Sequence, residues 1–343
     1  MSVKYTILLL AALLTDTLYA QDVIFSQYYA AGLFVNPAEA GLQKDFTISA
    51  SYRSQWKSVD MPFETFQVSC IYPLMSQGLR KKHLGGIALT AFNDVAGASR
   101  DFTTNGLCAA TAYNFQLNSK GNNILAFAMQ GGLHQRIIKA EDLLWSSQYI
   151  EHFGFDRNLA AGEDFSTRTM YPVLNAGIAW SYHRKSHFRN VFGTVHGFSA
   201  SNLNRPNESV FAGAPATLPM RYQLHGALMF SGSKRWEICP AYLVRYENGL
   251  IQTNTGAYAN YNLTSAGRGR RGTKLILGAW YRLRDSFIIT TGIQKGPLTC
   301  GVSYDRNTTS FSRYMGNAGA FEVSAAFAIR SKHGMKGIST PLI

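Results

Sequence analysis

Long apolar runs are almost missing from this 343-residue chain. Ile7 to Leu14 is only eight residues long, and no stretch reaches the roughly 18 consecutive apolar residues that a membrane-spanning helix needs, so helical spans are not expected. Charge is scarce too. Asp, Glu, Lys and Arg make up 15% of the chain, against roughly 25% in soluble domains, which argues against an ordinary secreted globular protein. Proline is sparse at 10 residues. The four cysteines (Cys70, Cys108, Cys239, Cys300) are widely spaced inside strand-like stretches, so free thiols are expected rather than a disulfide framework. No CxxC, HxH or HExxH spacing is present, and no metal or other cofactor is expected. Nucleophilic catalysis needs a Ser or Cys within reach of a base. His196 and Ser199 are the nearest local pair, and three residues apart in a strand they point to opposite faces. No catalytic residue is assigned, and the chain is expected not to be an enzyme.

What is present is glycine (31), tyrosine (18) and phenylalanine (21), arranged in alternation. Phe46, Ile48, Ala50 and Tyr52 alternate with Thr47, Ser49, Ser51 and Arg53; Phe321, Val323, Ala325, Phe327 and Ile329 alternate with Glu322, Ser324 and small alanines. A period of two means one apolar and one polar face. Many such segments run to 10 residues or more, longer than the roughly 5–6 of soluble strands and matched to the roughly 9–11 of a tilted membrane strand. Strands are predicted over 45–56, 64–74, 84–93, 103–117, 123–136, 171–183, 190–202, 220–231, 235–247, 250–262, 273–284, 286–295, 298–306 and 319–330. Fourteen is even, and tight connections (118–122, 232–234, 296–297) contrast with long ones (137–170, 203–219, 307–318). That pattern predicts an all-β, antiparallel transmembrane barrel with short periplasmic turns and longer extracellular loops, its apolar faces in lipid and its polar faces in the lumen. Ser324 should therefore accept a charge far more readily than Phe327. A short helix is expected near Lys139 to Tyr149 within the first long loop.

The ends divide the chain further. Lys4, the apolar run Ile7 to Leu14 and the small residue Ala20 predict a signal peptide over 1–20, cut before Gln21. Residues 21–44 are expected to form a segment against or inside the periplasmic mouth, 45–330 the barrel, and 331–343 a tail. The segment has no Lys or Arg through Gly41, has turn chemistry at Asn36-Pro37 and Gly41, and lacks clean alternation. Its aromatics suit packing, although an irregular first strand is the other reading.

Several motifs in this order carry a resemblance. Gln21-Asp22-Val23-Ile24-Phe25-Ser26-Gln27-Tyr28 is followed by Asn36-Pro37-Ala38-Glu39-Ala40-Gly41. Tyr52-Arg53-Ser54-Gln55-Trp56, Pro62-Phe63-Glu64-Thr65, Asn202-Leu203-Asn204-Arg205-Pro206-Asn207, Gly278-Ala279-Trp280-Tyr281-Arg282 and Ser303-Tyr304-Asp305 come after. Together they resemble the PorP/SprF family of Bacteroidetes outer-membrane proteins across the mature chain. Two departures stand out: Val23 replaces the usual Pro, and Phe321-Glu322 replaces the usual His-Glu. The resemblance implies an outer-membrane barrel tied to type IX secretion and gliding motility. Its implied partners are periplasmic or outer-membrane secretion components and a secreted protein's C-terminal domain or a surface adhesin. Phe25, Ser26, Gln27, Tyr28, Asn36, Pro37, Gly41, Arg53, Trp56, Asn202 and Pro206 are the motif residues expected to matter. The barrel pattern alone also fits a porin or solute-specific channel.

Charge adds one candidate surface. The net charge is +13, and the turns expected on the periplasmic side hold Arg80, Lys81, Lys82, Lys120, Arg184, Lys185, Arg189, Lys234, Arg268, Arg270 and Arg271 without an Asp or Glu. Such a rim attracts acidic protein surfaces or anionic lipid head groups. Arg268, Arg270 and Arg271 are the expected docking residues. Without a recognition fold, nucleic acid is not an expected partner.

Overall fold

A computed structural model describes residues 24–329 except 58–61, 78–81, 120, 140–142, 161, 163–165, 184–190, 212, 232–234, 265–271 and 309–318. Two helical turns come first, α1 (Gly32–Val35) and α2 (Glu39–Leu42). The strands are β1 (Phe46–Gln55), β2 (Phe63–Met75), β3 (His83–Ala96), β4 (Phe102–Gln116), β5 (Asn123–Ile138), β6 (Tyr149–Ile150), β7 (Gly154–Phe155), β8 (Arg168–His183) and β9 (Val191–Ser201). They continue with β10 (Arg221–Ser231), β11 (Trp236–Glu247), β12 (Leu250–Asn262), β13 (Thr273–Arg282), β14 (Ser286–Lys295), β15 (Leu298–Asn307) and β16 (Ala320–Ile329). All but β6 and β7 form one closed barrel, in which each strand pairs with its neighbours in the chain and β1 closes on β16. The fourteen barrel strands are those expected from the alternation. Closure leaves no edge strand, which is what a sheet surrounded by lipid requires.

Alternation decides the two faces. In β16 every odd residue from Phe321 to Ile329 is exposed on the outside and every even residue from Ala320 to Ala328 is buried inside. Phe66, Leu107, Met129 and Ile289 likewise lie on the outside, forming a lipid-compatible apolar surface. Tight hairpins set the register where the sequence supplies the turn: Asn248 and Gly249, with φ of 47° and 84°, join β11 to β12 so that Glu247 faces Leu250. All four cysteines are free.

The lumen carries many polar side chains, as expected, but it is filled rather than open. Residues 24–45 lie within the barrel, so Leu33, Ala38, Ala40 and Leu42 pack against Ala88, Ala110, Ala112, Ala126 and Val195 of the wall. On the opposite wall Tyr28 and Val35 pack against Trp280, Tyr258 and Ile288. Small residues line the wall where the helical turns dock, and aromatics where the segment leaves space. Because the lumen is packed, Ser324 is buried and its hydroxyl donates to Gln27 Oε1 at 2.8 Å. The expectation that Ser324 tolerates a charge is therefore corrected: an arginine there meets protein, not water.

The loop 139–167 also departs from expectation. In place of a helix over Lys139 to Tyr149, its described residues form a 3-10 turn, Ser146–Gln148, and the β6–β7 hairpin. Gln148 holds this turn by accepting from Trp145 N–H at 3.1 Å and donating to Leu159 O at 2.8 Å. The signal peptide, the tail 331–343 and the basic residues Arg268, Arg270 and Arg271 fall outside the described residues.

The two faces of β16 give a direct check. Ala325, exposed near the middle of the strand, should cost about 2–4 kcal/mol when changed to Arg, against about 0–1 kcal/mol for Arg at Ile329 near the strand end. Urea unfolding in liposomes measures both, and equal costs would overturn the register.

Candidate functional site

The segment that fills the lumen crosses it lengthwise. Residues near Gly41 sit at the end of the barrel where the chain enters β1, beside Asn114 and Ala126. Ser26 sits toward the other end, beside Arg53, Arg282, Asp305 and Glu322. The expected mouth segment thus runs deep into the barrel, and it is not an irregular strand.

At its deep end the segment meets the closure seam. Arg53 of β1 is paired in register with Glu322 of β16, and Asp305 follows on β15. Ser26 N–H donates to Glu322 Oε2 at 2.7 Å and Gln27 N–H to Glu322 Oε1 at 3.0 Å. The Ser26 hydroxyl donates to Asp305 Oδ2 and accepts from Arg53 Nη1 at 2.6 Å and Arg282 Nη2 at 3.1 Å. One donor and two acceptor positions are all a hydroxyl has, so Ser26 is saturated. Arg53 also pairs with Asp305 at 2.9 Å and Glu322 at 3.3 Å. Two guanidiniums and two carboxylates therefore balance one another out of solvent around one serine. Gln27 completes the join by donating to Ser303 Oγ and Glu322 O.

A second join lies halfway along. Asn36 Nδ2 donates to Ile178 O at 3.1 Å and approaches Phe198 O at 3.4 Å and His225 Nε2 at 3.1 Å, while Oδ1 accepts from Ala38 N–H at 2.9 Å. The wall opposite has to be bare. A Cβ at Gly177 would fall 2.0 Å from Asn36 Oδ1, and one at Gly197 would fall 2.6 Å from Asn36 Nδ2. Val35 O accepts from Ser199 Oγ at 2.6 Å and from Gln223 Nε2 at 2.9 Å. Pro37 ends α1 and turns the chain into α2, and Gly41 O accepts from Asn114 Nδ2 at 2.6 Å. Glu39 is buried beside this join with His225 Nε2 4.0 Å away, and its Oε1 lacks a hydrogen-bond partner. Burial pushes its carboxyl up to about 8.

Aromatic residues of the motif fix the segment's sides. Phe25 meets Phe34 edge-on at 5.6 Å, and Tyr28 and Tyr29 meet Trp280 at 5.5 and 6.0 Å. Trp56 lies elsewhere, at the loop end of β1, where its N–H donates to Gly319 O and its ring meets Phe63. Asn202 and Pro206 belong to the loop after β9. Asn202 N–H donates to Asn175 Oδ1 at 2.9 Å, its side chain to Pro219 O at 3.2 Å, and Pro206 O accepts from Leu218 N–H. Above the segment a vestibule of about 900 Å³ remains, with Ile24 and Phe34 in its floor and Asn202 in its wall.

Thus Ser26, Gln27 and Arg53 converge, Asn36 and Gly41 anchor the same segment further along, and Trp56 and Pro206 do not join them. Reasoning from sequence left Asp305, Arg282 and Glu322 as motif matches without a role, as it did Glu39, and did not single out His225. The signal for the first three was their phase, since each charge falls on the inward side of an alternating strand. The phase also explains the departure at Phe321, which faces outward while Glu322 carries the contact. His196 bonds Thr194 and Tyr242, and Ser199 bonds Val35 O, so the two do not meet. Among the described residues no group of three or more His, Cys, Asp or Glu could hold a metal ion.

Removing one member of the seam cluster leaves a buried charge uncompensated. Glu322→Ala and Arg53→Ala should each cost about 3–5 kcal/mol in urea unfolding, and a loss below 1 kcal/mol would contradict the buried network. Glu39 gives a pH dependence. Its folded value lies above its ordinary 4.5, so its contribution is complete below that value and is lost as pH rises through about 8. The unfolding midpoint should fall across that window in the wild type and lose this slope in Glu39→Gln; an unchanged slope would refute the assignment.

Comparison with known proteins agrees with this architecture. The toluene transporter TodX of Pseudomonas putida superposes with a TM-score of 0.52 at 10% identity, over 88% of this chain and 93% of that one. The toluene transporter TbuX of Ralstonia pickettii gives 0.48 at 11% identity, over 87% and 92%. At 10% identity the likeness to TodX shows the fold alone, that of an outer-membrane β-barrel. No curated protein sequence matches. The sequence model for the type IX secretion system membrane protein PorP/SprF matches residues 17–327, which takes in the lumen segment and all but the end of the last strand, and the chain belongs to the PorP/SprF family.

Proposed function

We propose that this protein is a non-enzymatic outer-membrane barrel that supports type IX secretion by binding components of the secretion machinery and the proteins they export. Family membership supplies the secretion system, and the filled lumen supports a binding role over a diffusion role. Residues 24–45 occupy the space that a porin keeps open, and they are held to both walls by packing and buried hydrogen bonds. In this reading both chain ends face the periplasm, after removal of residues 1–20 on export. The turns carrying Arg268, Arg270 and Arg271 then face periplasmic partners and lipid head groups. The loops and the vestibule face the cell surface, where an exported C-terminal domain or a gliding adhesin docks.

The vestibule is the one observation that favours a solute-specific channel instead, and conductance separates the two. In planar bilayers the purified protein should show no porin-sized conductance. Deleting its gene should remove at least one exported protein from the cell surface. Reversing Arg268, Arg270 and Arg271 to Glu should leave the barrel folded and weaken co-purification of periplasmic partners in a salt-sensitive way. An open channel combined with an unchanged surface proteome would overturn the secretion reading.

A further inference from the structure

The vestibule above the lumen segment has a lining that selects a class of ligand. One wall is a stepped aromatic surface: Phe34 meets Phe92 at 5.7 Å, Phe92 meets His134 at 5.0 Å, and His134 meets Tyr171 at 5.7 Å, each edge to face. Beside it runs a chain of neutral amides. Asn175 Nδ2 donates to Gln130 Oε1 at 2.6 Å, and Asn175 Oδ1 accepts from Asn202 N–H, so the amides hold one another in fixed orientations. Thr90 lines the same space, and its buried hydroxyl has no hydrogen-bond partner.

Charge in the vestibule is balanced. Among the described residues four arginines and four acids line it, with no lysine. Arg136 pairs with Glu208 at 2.8 Å, and Arg245 pairs with Glu247. A hydrocarbon would strip water from these amides and ion pairs without replacing its hydrogen bonds, at a cost of the order of 1–3 kcal/mol for each group left unsatisfied. An anion or cation would find no net opposite charge. A neutral ligand with many hydroxyls and one apolar face matches both walls. A pyranose ring is such a ligand, with its C–H face for the aromatic steps and its equatorial hydroxyls for planar amide, carboxylate and guanidinium groups. The volume of about 900 Å³ lies within the usual range of ligand pockets and exceeds the needs of one ring.

We propose that the vestibule is a binding site for a neutral oligosaccharide, either free or as the exposed glycan of a membrane glycolipid. The site needs no secretion partner, so loss of the secretion reading would leave it standing. The full-length mature protein, purified in detergent, is passed over an array of neutral oligosaccharides, uronic-acid oligosaccharides and extended peptides. Calorimetry follows with the best-retained sugar. Retention of neutral sugars with Kd below about 1 mM is expected. Thr90→Val, which keeps the volume and removes the hydroxyl, and Gln130→Ala should each weaken binding about tenfold or more with heat-modifiable gel migration intact. Retention only when the same neutral glycan is lipid-linked supports the site and identifies a glycolipid as the source. No retention of neutral sugars in either form, preference for uronic acids or peptides, or binding indifferent to both substitutions overturns it.

Discussion

The rest of the structure depends on the buried ionic cluster around Ser26. A barrel exists only if its first strand finds its last, and here Arg53 meets Glu322 across 269 residues of chain. Hydrogen bonds of the ladder are alike at every register, so they do not by themselves prefer one alignment. The cluster does, because its two guanidiniums, two carboxylates and one hydroxyl come within pairing distance of one another at one alignment only. Burial of such a set contributes little net stability compared with apolar packing, yet a mismatch leaves an unpaired charge and costs several kcal/mol. The contribution to specificity follows from that asymmetry. Ser26 and Gln27 belong to the segment about 20 residues before β1, so the groups bridging the seam are tethered to one of its two strands from the start.

Filling the lumen then dictates the inner wall. Where α1 and α2 dock, β3, β4 and β5 present alanine, and β8 and β9 present Gly177 and Gly197, because backbone and Asn36 come too close for larger side chains. Across the lumen, where the segment narrows to single side chains, Trp280 and Tyr258 reach in to meet Tyr28 and Tyr29. The interior reads as a domain core placed inside a membrane barrel. The vestibule is what lies between the top of this core and the loops.

Much of this was legible in the sequence, and the limits have physical causes. Alternation over 10 residues or more fixes which side chains face lipid, so the strands, their number and the inward phase of Glu322 could be read directly. It does not say what an inward residue meets. Ser324 looked like a wetted lumen position and is buried against Gln27, because its partner lies about 300 residues earlier and does not announce itself locally. The motif Phe25 to Tyr28 was visible as a resemblance, whereas its place against Asp305 and Arg282 depends on pairings that one sequence does not encode in any local pattern. The helix expected over Lys139 to Tyr149 failed for a different reason. Over so short a span the local sequence does not fix the type of turn, and among the described residues Gln148 bonds across the loop to Leu159.

The same joins constrain how the lumen could ever open. For a solute to pass, residues 24–45 have to leave the wall, and that exposes the seam cluster, the Asn36 join and the apolar surfaces of Leu33, Leu42 and Tyr28 together. These losses are coupled because the groups share one short segment, so partial withdrawal breaks one join while straining the next. Thermal motion alone would populate such a state rarely, since each join is worth more than the roughly 0.6 kcal/mol of thermal energy at room temperature. A partner that acts on this barrel would therefore have to supply binding energy directed at the segment itself. The segment offers two faces for that purpose. Ile24 and Phe34 form the floor of the vestibule, and the half-buried Lys44 and Asp45 lie at the end where the chain enters β1.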